Sequence, residues 1–202
     1  MPYPDRFYPV VDSISWVARL TKLGVGTIQL RAKNLNDADA LAIVREGLVV
    51  TRGTHSELVV NDYWRAAIEA QARHLHLGQE DLADADLAAI RKAGLSLGVS
   101  THDDDELATA LRAKPDYVAL GPIFFTTLKS MRFAPQGIPK ITEWKRRVGN
   151  LPLVAIGGIK FEHAAAIFAA GADSIAVVSD VTQNADPDAR VRQWLGASAK
   201  AA

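Results

Sequence analysis

The sequence predicts a single-domain α/β protein folded as a closed (β/α)₈ barrel, and three observations carry that reading. Short apolar runs of four to six residues recur along the chain, amphipathic stretches of ten or so residues separate them, and eight such pairs fit into 202 residues. Parallel strands joined by crossover helices have this pattern. Eight of them close a barrel, with an open doubly wound sheet as the alternative.

The strands are read in order as FYPVV from Phe7, TIQLR from Thr27, ELVVN from Glu57, HLHLG from His74, LSLGVS from Leu95, DYVALG from Asp116, LPLVAIGG from Leu151 and SIAVVS from Ser174. The helical patterns that follow them are SWVARLTKL, DADALAIVREGL, YWRAAIEAQA, ADLAAIRKA, DDELATALRAK, ITEWKRRV, EHAAAIFAAG and DARVRQWLGASA. One domain covers residues 1–202, with a tail expected to fray from 197 to 202. The even spacing is interrupted once. From Pro122 to Pro139 the chain reads PIFFTTLKSMRFAPQGIP, an aperiodic stretch of a length usually found where a loop binds or covers something. It is expected to be an active-site loop.

Composition limits the partners. Lys plus Arg and Asp plus Glu each number 23, so no global field attracts nucleic acid or an anionic membrane, and an anion must be held by a local cluster. There are no cysteines, which excludes disulfides, thiolate metal sites and cysteine nucleophiles. The opening MPYPDRFYPVVDS lacks the apolar core of a signal peptide, and no apolar run approaches the ~20 residues that span a bilayer. A soluble, cytoplasmic protein acting on small molecules is expected. Homo-oligomerisation is left open.

In such a barrel chemistry sits where the strands end. Strand two ends QLRAK, and its period of two puts Gln29, Arg31 and Lys33 on one face. Strand three ends with Asn61 and Asp62, and strand four closes GQED on Asp81. Two carboxylates beside two cations suit a hard cation: Mg²⁺ takes one or two carboxylates and completes its shell with water and phosphate oxygens. The plainer reading of Asp62, Asp81 or Asp84 is a helix N-cap. Strand five presents Ser100, with Thr101 or His102 as the expected cap and the acidic run from Asp103 to Glu106 complementing the next helix dipole. His74 and His76 read as core histidines. The long loop carries Thr126, Thr127 and Lys129, and strands seven and eight end in Gly157–Gly158 and Val178–Ser179, where bare backbone can approach a phosphate.

In order and near-family spacing, FYPVVD, QLRAK, VVND, HLHLGQEDL, LGVSTH, DYVALGPIF with its threonine–lysine loop, AIGGI and GADSIAVVS resemble the thiamine phosphate synthase family along nearly the whole chain. The resemblance implies a Mg²⁺-dependent transferase. It joins 4-amino-5-hydroxymethyl-2-methylpyrimidine diphosphate to a thiazole monophosphate, giving thiamine phosphate and diphosphate. By the same resemblance Gln29, Arg31, Lys33, Asn61, Ser100 and Lys129 contact the pyrimidine diphosphate, Asp62 and Asp81 hold Mg²⁺, and Thr126, Thr127, Gly158, Val178 and Ser179 bind the thiazole phosphate. Arg31, Lys33 and Lys129 would stabilise the departing diphosphate.

The chain departs from the family pattern in places. Leu128 stands where a second loop threonine is usual, a loss of one neutral hydrogen bond worth ~1 kcal/mol. Ala32 replaces a common acidic residue, SMRFAPQG is unlike the usual loop, and TRGTHSE before strand three is short. The alternatives are a thiazole tautomerase-like isomerase on the same barrel, which would need a histidine where this chain has Gly121–Pro122, and a non-catalytic barrel that binds thiamine precursors.

Overall fold

Each apolar run forms a strand because both its faces can be buried, one inside the barrel and one under helices, and most of the runs are rich in β-branched or aromatic residues. In the computed structural model, which describes residues 3–126 and 133–199, the strands are β1 (Phe7–Val11), β2 (Thr27–Leu30), β3 (Glu57–Asn61), β4 (His74–Leu77), β5 (Ser96–Thr101), β6 (Tyr117–Leu120), β7 (Leu153–Ile156) and β8 (Ser174–Val177). All neighbours are parallel and in sequence order, and β1 closes on β8 with Phe7 beside Ile175. The closed barrel is therefore the fold, and the open sheet is excluded.

Alternation sorts the side chains. Phe7 and Val11 of β1 point outward into the layer beneath the helices, whereas Tyr8 and Val10 point inward with Val59, Tyr117, Ala119, Val154 and Ala176. The outer layer holds most of the apolar surface. Trp144 and Trp194 are fully buried there, each contributing on the order of 2–3 kcal/mol by burial. Their indole N–H groups donate to Thr101 Oγ1 at 3.1 Å and Asp180 Oδ2 at 2.8 Å, so neither leaves an orphaned donor. Gly98 on β5 is required by a close approach: a Cβ there would lie 2.0 Å from Tyr117 Cζ, so its absence lets the tyrosine cross the interior.

The helices are α1 (Ile14–Lys22), α2 (Asp37–Thr51), α3 (Trp64–Glu69), α4 (Gln79–Asp84), α5 (Leu87–Lys92), α6 (Asp104–Arg112), α7 (Gly137–Val148), α8 (Ala164–Ala169), α9 (Ser179–Thr182) and α10 (Pro187–Ala199). Two of these, α4 and α9, carry no sequence signal because each has a single large apolar residue, Leu82 and Val181, and so shows no apolar period. The tail expected to fray from residue 197 is helical as far as Ala199. α6 begins with Asp103 as its cap, accepting from Glu106 N, instead of Thr101 or His102. Asp104, Asp105 and Glu106 do lie in its first turn, as the dipole argument requires.

The base of the long loop is fixed on both sides. Ile123 N and Phe124 N donate to Ile156 O and Gly157 O, extending the β6–β7 ladder, and Gln136 N and Gly137 N return to Pro122 O and Ile123 O. Residues 127–132, which include Thr127, Leu128 and Lys129, lie outside the described residues.

Candidate functional site

Gln29 is the last inward residue of β2 and is buried, with its Nε2 donating to Tyr8 Oη at 2.7 Å. The strand ends at Leu30, so Arg31 and Lys33 do not continue the strand face as alternation suggested. They leave on the connection to α2, with Arg31 N donating to Val11 O at 2.7 Å. Lys33 reaches across to form an ion pair with Asp62. Arg31 has no ion-pair partner among the described residues.

Asp62 sits just past β3 in the left-handed region, at φ 66°, a conformation Asp tolerates better than most residues. The turn is held by Asp62 N donating to His76 O and by Trp64 N donating to Asp62 O. Asp62 caps nothing: the residue preceding α3 is Tyr63, without a side-chain cap bond. Asp81 does not end a strand, as the sequence reading had it, nor is it a cap. It lies in the first turn of α4, whose cap is Gly78, because β4 stops at Leu77 and the chain turns immediately.

These two carboxylates face each other. The Asp81 carboxyl is pushed above its usual range by burial first, then by the charge of Asp62 and a hydrogen bond with it, with Lys33 opposing. A cavity of about 350 Å³ runs along the outer side of the pair, lined by Asp37, Tyr63, Trp64 and Asp84 among others. Two adjoining carboxylates share one lysine here, so the pair lacks positive charge. That fits a divalent cation in the Mg²⁺ style, in which the protein supplies one or two carboxylates and oxygen ligands come from elsewhere. No group of three or more His, Asp or Glu side chains suited to a metal occurs among the described residues, so an all-protein cage is absent from them.

Asn61, the last residue of β3, is buried, and its Nδ2 has no hydrogen-bond partner among the described residues. Such an orphaned amide is costly unless something else accepts from it. Ser100 stands half-buried near the end of β5, and its Oγ is 2.8 Å from His76 Nε2. The other His76 nitrogen is 2.9 Å from Tyr117 Oη, which is in turn 2.8 Å from Tyr8 Oη. His76 was expected to be an ordinary core histidine. It is buried, but as part of a polar chain that reaches the rim. Burial lowers its pKa to about 4, with Asp62 pulling upward and Arg31 downward.

On the far side of the mouth, Gly157 and Gly158 both have positive φ, at 99° and 65°. A Cβ on Gly158 would meet Phe125 O at 2.4 Å, so these glycines are needed for the loop after β6 to lie against them. Thr126 lies half-buried on that loop. Val178 follows β8, and Ser179 opens the short helix α9 instead of ending the strand. The site thus divides into a charged sector from β2 to β5 and a backbone-lined sector from β6 to β8.

The residues the sequence reading missed are Tyr8, Tyr117 and His76 as a polar unit. The available signal was a pair of tyrosines and a histidine at inward positions of otherwise apolar strands.

Residues 7–181 match the family model described as thiamine monophosphate synthase. The chain is 54% identical over 195 residues to a thiamine-phosphate synthase of Rhizobium etli, covering 96% of each chain. It is 49% identical to one of Klebsiella pneumoniae, covering 96% of this chain and 92% of that one. Among solved structures, a thiamine phosphate pyrophosphorylase from Pyrococcus furiosus superposes with a TM-score of 0.84 at 25% identity, covering 96% of each chain. A 3-hexulose-6-phosphate synthase from Salmonella typhimurium, at 14% identity and a TM-score of 0.75, shares the fold alone. With a family match across most of its length and relatives at about half identity, the chain belongs to the thiamine monophosphate synthase family.

Proposed function

We propose that this protein is a transferase that couples 4-amino-5-hydroxymethyl-2-methylpyrimidine diphosphate to a thiazole monophosphate, releasing diphosphate and forming thiamine phosphate. The observation that carries this reading is the facing pair Asp62 and Asp81, sharing Lys33 beside an Arg31 without an ion-pair partner among the described residues. Two carboxylates and two cations cancel one another. A multiply charged diphosphate therefore needs further positive charge, which Mg²⁺ on Asp62 and Asp81 and the loop residue Lys129 would provide. Bound there, Mg²⁺ supplies Lewis acidity toward the diphosphate oxygens.

The chemistry assigned to the chain's own residues follows from the charge that develops. As the C–O bond to diphosphate breaks, negative charge grows on the leaving oxygens, and Arg31, Lys33 and Lys129 would stabilise it. The thiazole nitrogen then bonds to the exposed methylene carbon. Gln29, Asn61 and Ser100 hold the pyrimidine, with the orphaned Asn61 amide gaining its missing acceptor. Thr126, Thr127, Gly158, Val178 and Ser179 hold the thiazole phosphate and aim the nucleophile. No side chain need act as a base on carbon, in keeping with a rim that offers charges and amides and a His76 engaged at both nitrogens.

The test is direct. Purified protein mixed with both substrates and Mg²⁺ should yield thiamine phosphate and diphosphate in equal amounts, and a chelator should stop it. Binding of both substrates without turnover would favour the non-catalytic reading instead. Among the described residues no helix is long and apolar enough to cross a membrane. We place the reaction in the cytoplasm.

A further inference from the structure

With the Gln29 amide nitrogen facing Tyr8, the buried polar chain beneath the rim runs in one direction, and that direction settles what its two ends can offer a ligand. Gln29 Nε2 donates to Tyr8 Oη at 2.7 Å. Tyr8 is fully buried, and among the described residues its one other hydrogen-bond partner is Tyr117 Oη at 2.8 Å, so the Tyr8 proton goes to Tyr117. Tyr117 then holds its own proton for His76 Nδ1 at 2.9 Å, which must be the unprotonated nitrogen. The remaining proton of the neutral imidazole is on Nε2 and is donated to Ser100 Oγ at 2.8 Å. Ser100 keeps its hydroxyl proton for something outside the chain. At the other end no hydrogen bond to the Gln29 carbonyl oxygen occurs among the described residues, and that oxygen is not sealed from solvent.

Turning the Gln29 amide over would reverse every bond in the series, because no buried hydroxyl can donate twice or leave its proton unused without cost. The ends would then exchange roles: Gln29 would offer N–H and Ser100 would offer only lone pairs. The two rim groups, on β2 and β5, therefore cannot choose their roles separately. The interior has been shaped for this chain, since Gly98 is bare where a Cβ would strike the Tyr117 ring.

We propose that Tyr8, Tyr117 and His76 are positioning residues that fix Gln29 as an acceptor and Ser100 as a donor, so that the site takes a pyrimidine bearing an amino group and rejects its oxo counterpart. An exocyclic amine gives Gln29 Oε1 the proton it lacks. An oxo group would confront it with a second acceptor, or force inversion of four hydrogen bonds, three of them buried. The discrimination rests on the proposed reaction, but the direction of the chain does not.

Two measurements test it. In the ligand-free protein, nitrogen NMR of His76 should show Nε2 protonated and Nδ1 bare. The opposite tautomer would overturn the proposal, whatever the enzyme's activity. The second uses Tyr117→Phe, which cuts the chain in the middle and leaves both rim residues in place, with Tyr8→Phe as a second cut should the first not fold. The ratio of kcat/KM for the amino substrate over its 4-oxo analogue should fall about tenfold or more, while KM for the thiazole phosphate stays as in the wild type. A merely structural role would slow both pyrimidines alike, and an unchanged ratio sinks the idea. A wild type that forms no thiamine phosphate would instead fail the reaction assignment, leaving the tautomer result to decide the chain's direction.

Discussion

The two ends of the barrel both carry carboxylates and use them in opposite ways. At the amino end, Asp116 Oδ2 accepts from Leu97 N at 2.7 Å, and Asp173 Oδ2 accepts from Leu153 N at 2.8 Å and from Lys145 Nζ at 2.7 Å. Each of these acids ties the start of a neighbouring strand and satisfies a backbone donor that the ladder leaves over. At the carboxyl end, Asp62 and Asp81 face one another, share Lys33, and leave the Asp81 carboxyl short of positive charge. The difference shows where the fold has spent its electrostatics on itself and where it has held charge back for a ligand. Conserving the stability of one end and the activity of the other should be separable by mutation.

The largest expected effect breaks that contrast or confirms it. Asp62→Asn and Asp81→Asn should each lower kcat/KM by about a thousandfold, or ~4 kcal/mol of transition-state stabilisation, because either change removes one of the two carboxylates assigned to the cation. Asp116→Asn at the opposite end should leave kcat/KM unchanged while weakening the fold. Steady-state kinetics with varied Mg²⁺ would measure both. Equal losses at the two ends would mean that the rim carboxylates are structural after all.

Next in size is a pH effect on stability. His76 near the rim is held neutral, with its pKa lowered to about 4 from the ordinary 6.5, chiefly by burial. The unfolded chain therefore takes up a proton first as pH falls. The stabilisation is fully present above pH about 6.5 and drains away toward pH about 4, by about 3 kcal/mol from that one residue. At the amino end His74 is shifted in the same direction by burial, but Glu57 opposes the shift. Denaturant unfolding between pH 7 and pH 4 should thus show a slope that His76→Gln reduces more than His74→Gln does. The reverse ranking would place the costlier histidine at the wrong end of the barrel.

How much of this the sequence reveals depends on whether a feature is local. The eight strands are legible because alternation and run length act within a few residues, and TIQLR or DYVALG reads as a strand in isolation. Asp81 was assigned to a strand end because GQED looks like one. The structure places it on the helix α4, whose one large apolar residue, Leu82, cannot set a period. The chain from Gln29 to Ser100 was hidden for another reason. A histidine between two leucines looks the same whether it packs or bonds, and only closure of the barrel brings inward residues of β1, β2, β4, β5 and β6 together. Separation along the chain did not conceal the charged rim, since Arg31, Lys33, Asn61 and Asp62 follow strands that can each be counted.

The smallest effect is also the sharpest on the comparison, because it differs in sign between the two ends. Asp173→Asn should destabilise the protein by about 1–2 kcal/mol, since the Leu153 amide loses a charged acceptor and Lys145 loses its partner. Asp81→Asn should do the opposite and stabilise the metal-free protein, because it removes a carboxylate that burial first and the charge of Asp62 second disfavour. The gain should not exceed about 1 kcal/mol, as Asp81 is only partly buried and solvent screens the pair. Added salt should shrink it further. Mg²⁺ should reverse the ranking, stabilising the wild type and not the Asp81→Asn protein, since a ligand that binds the folded state alone raises its stability by mass action. Melting both variants and the wild type with and without Mg²⁺ would decide the matter. A loss of stability at Asp81 in metal-free buffer would show that this carboxylate, like Asp173, serves the fold before it serves the reaction.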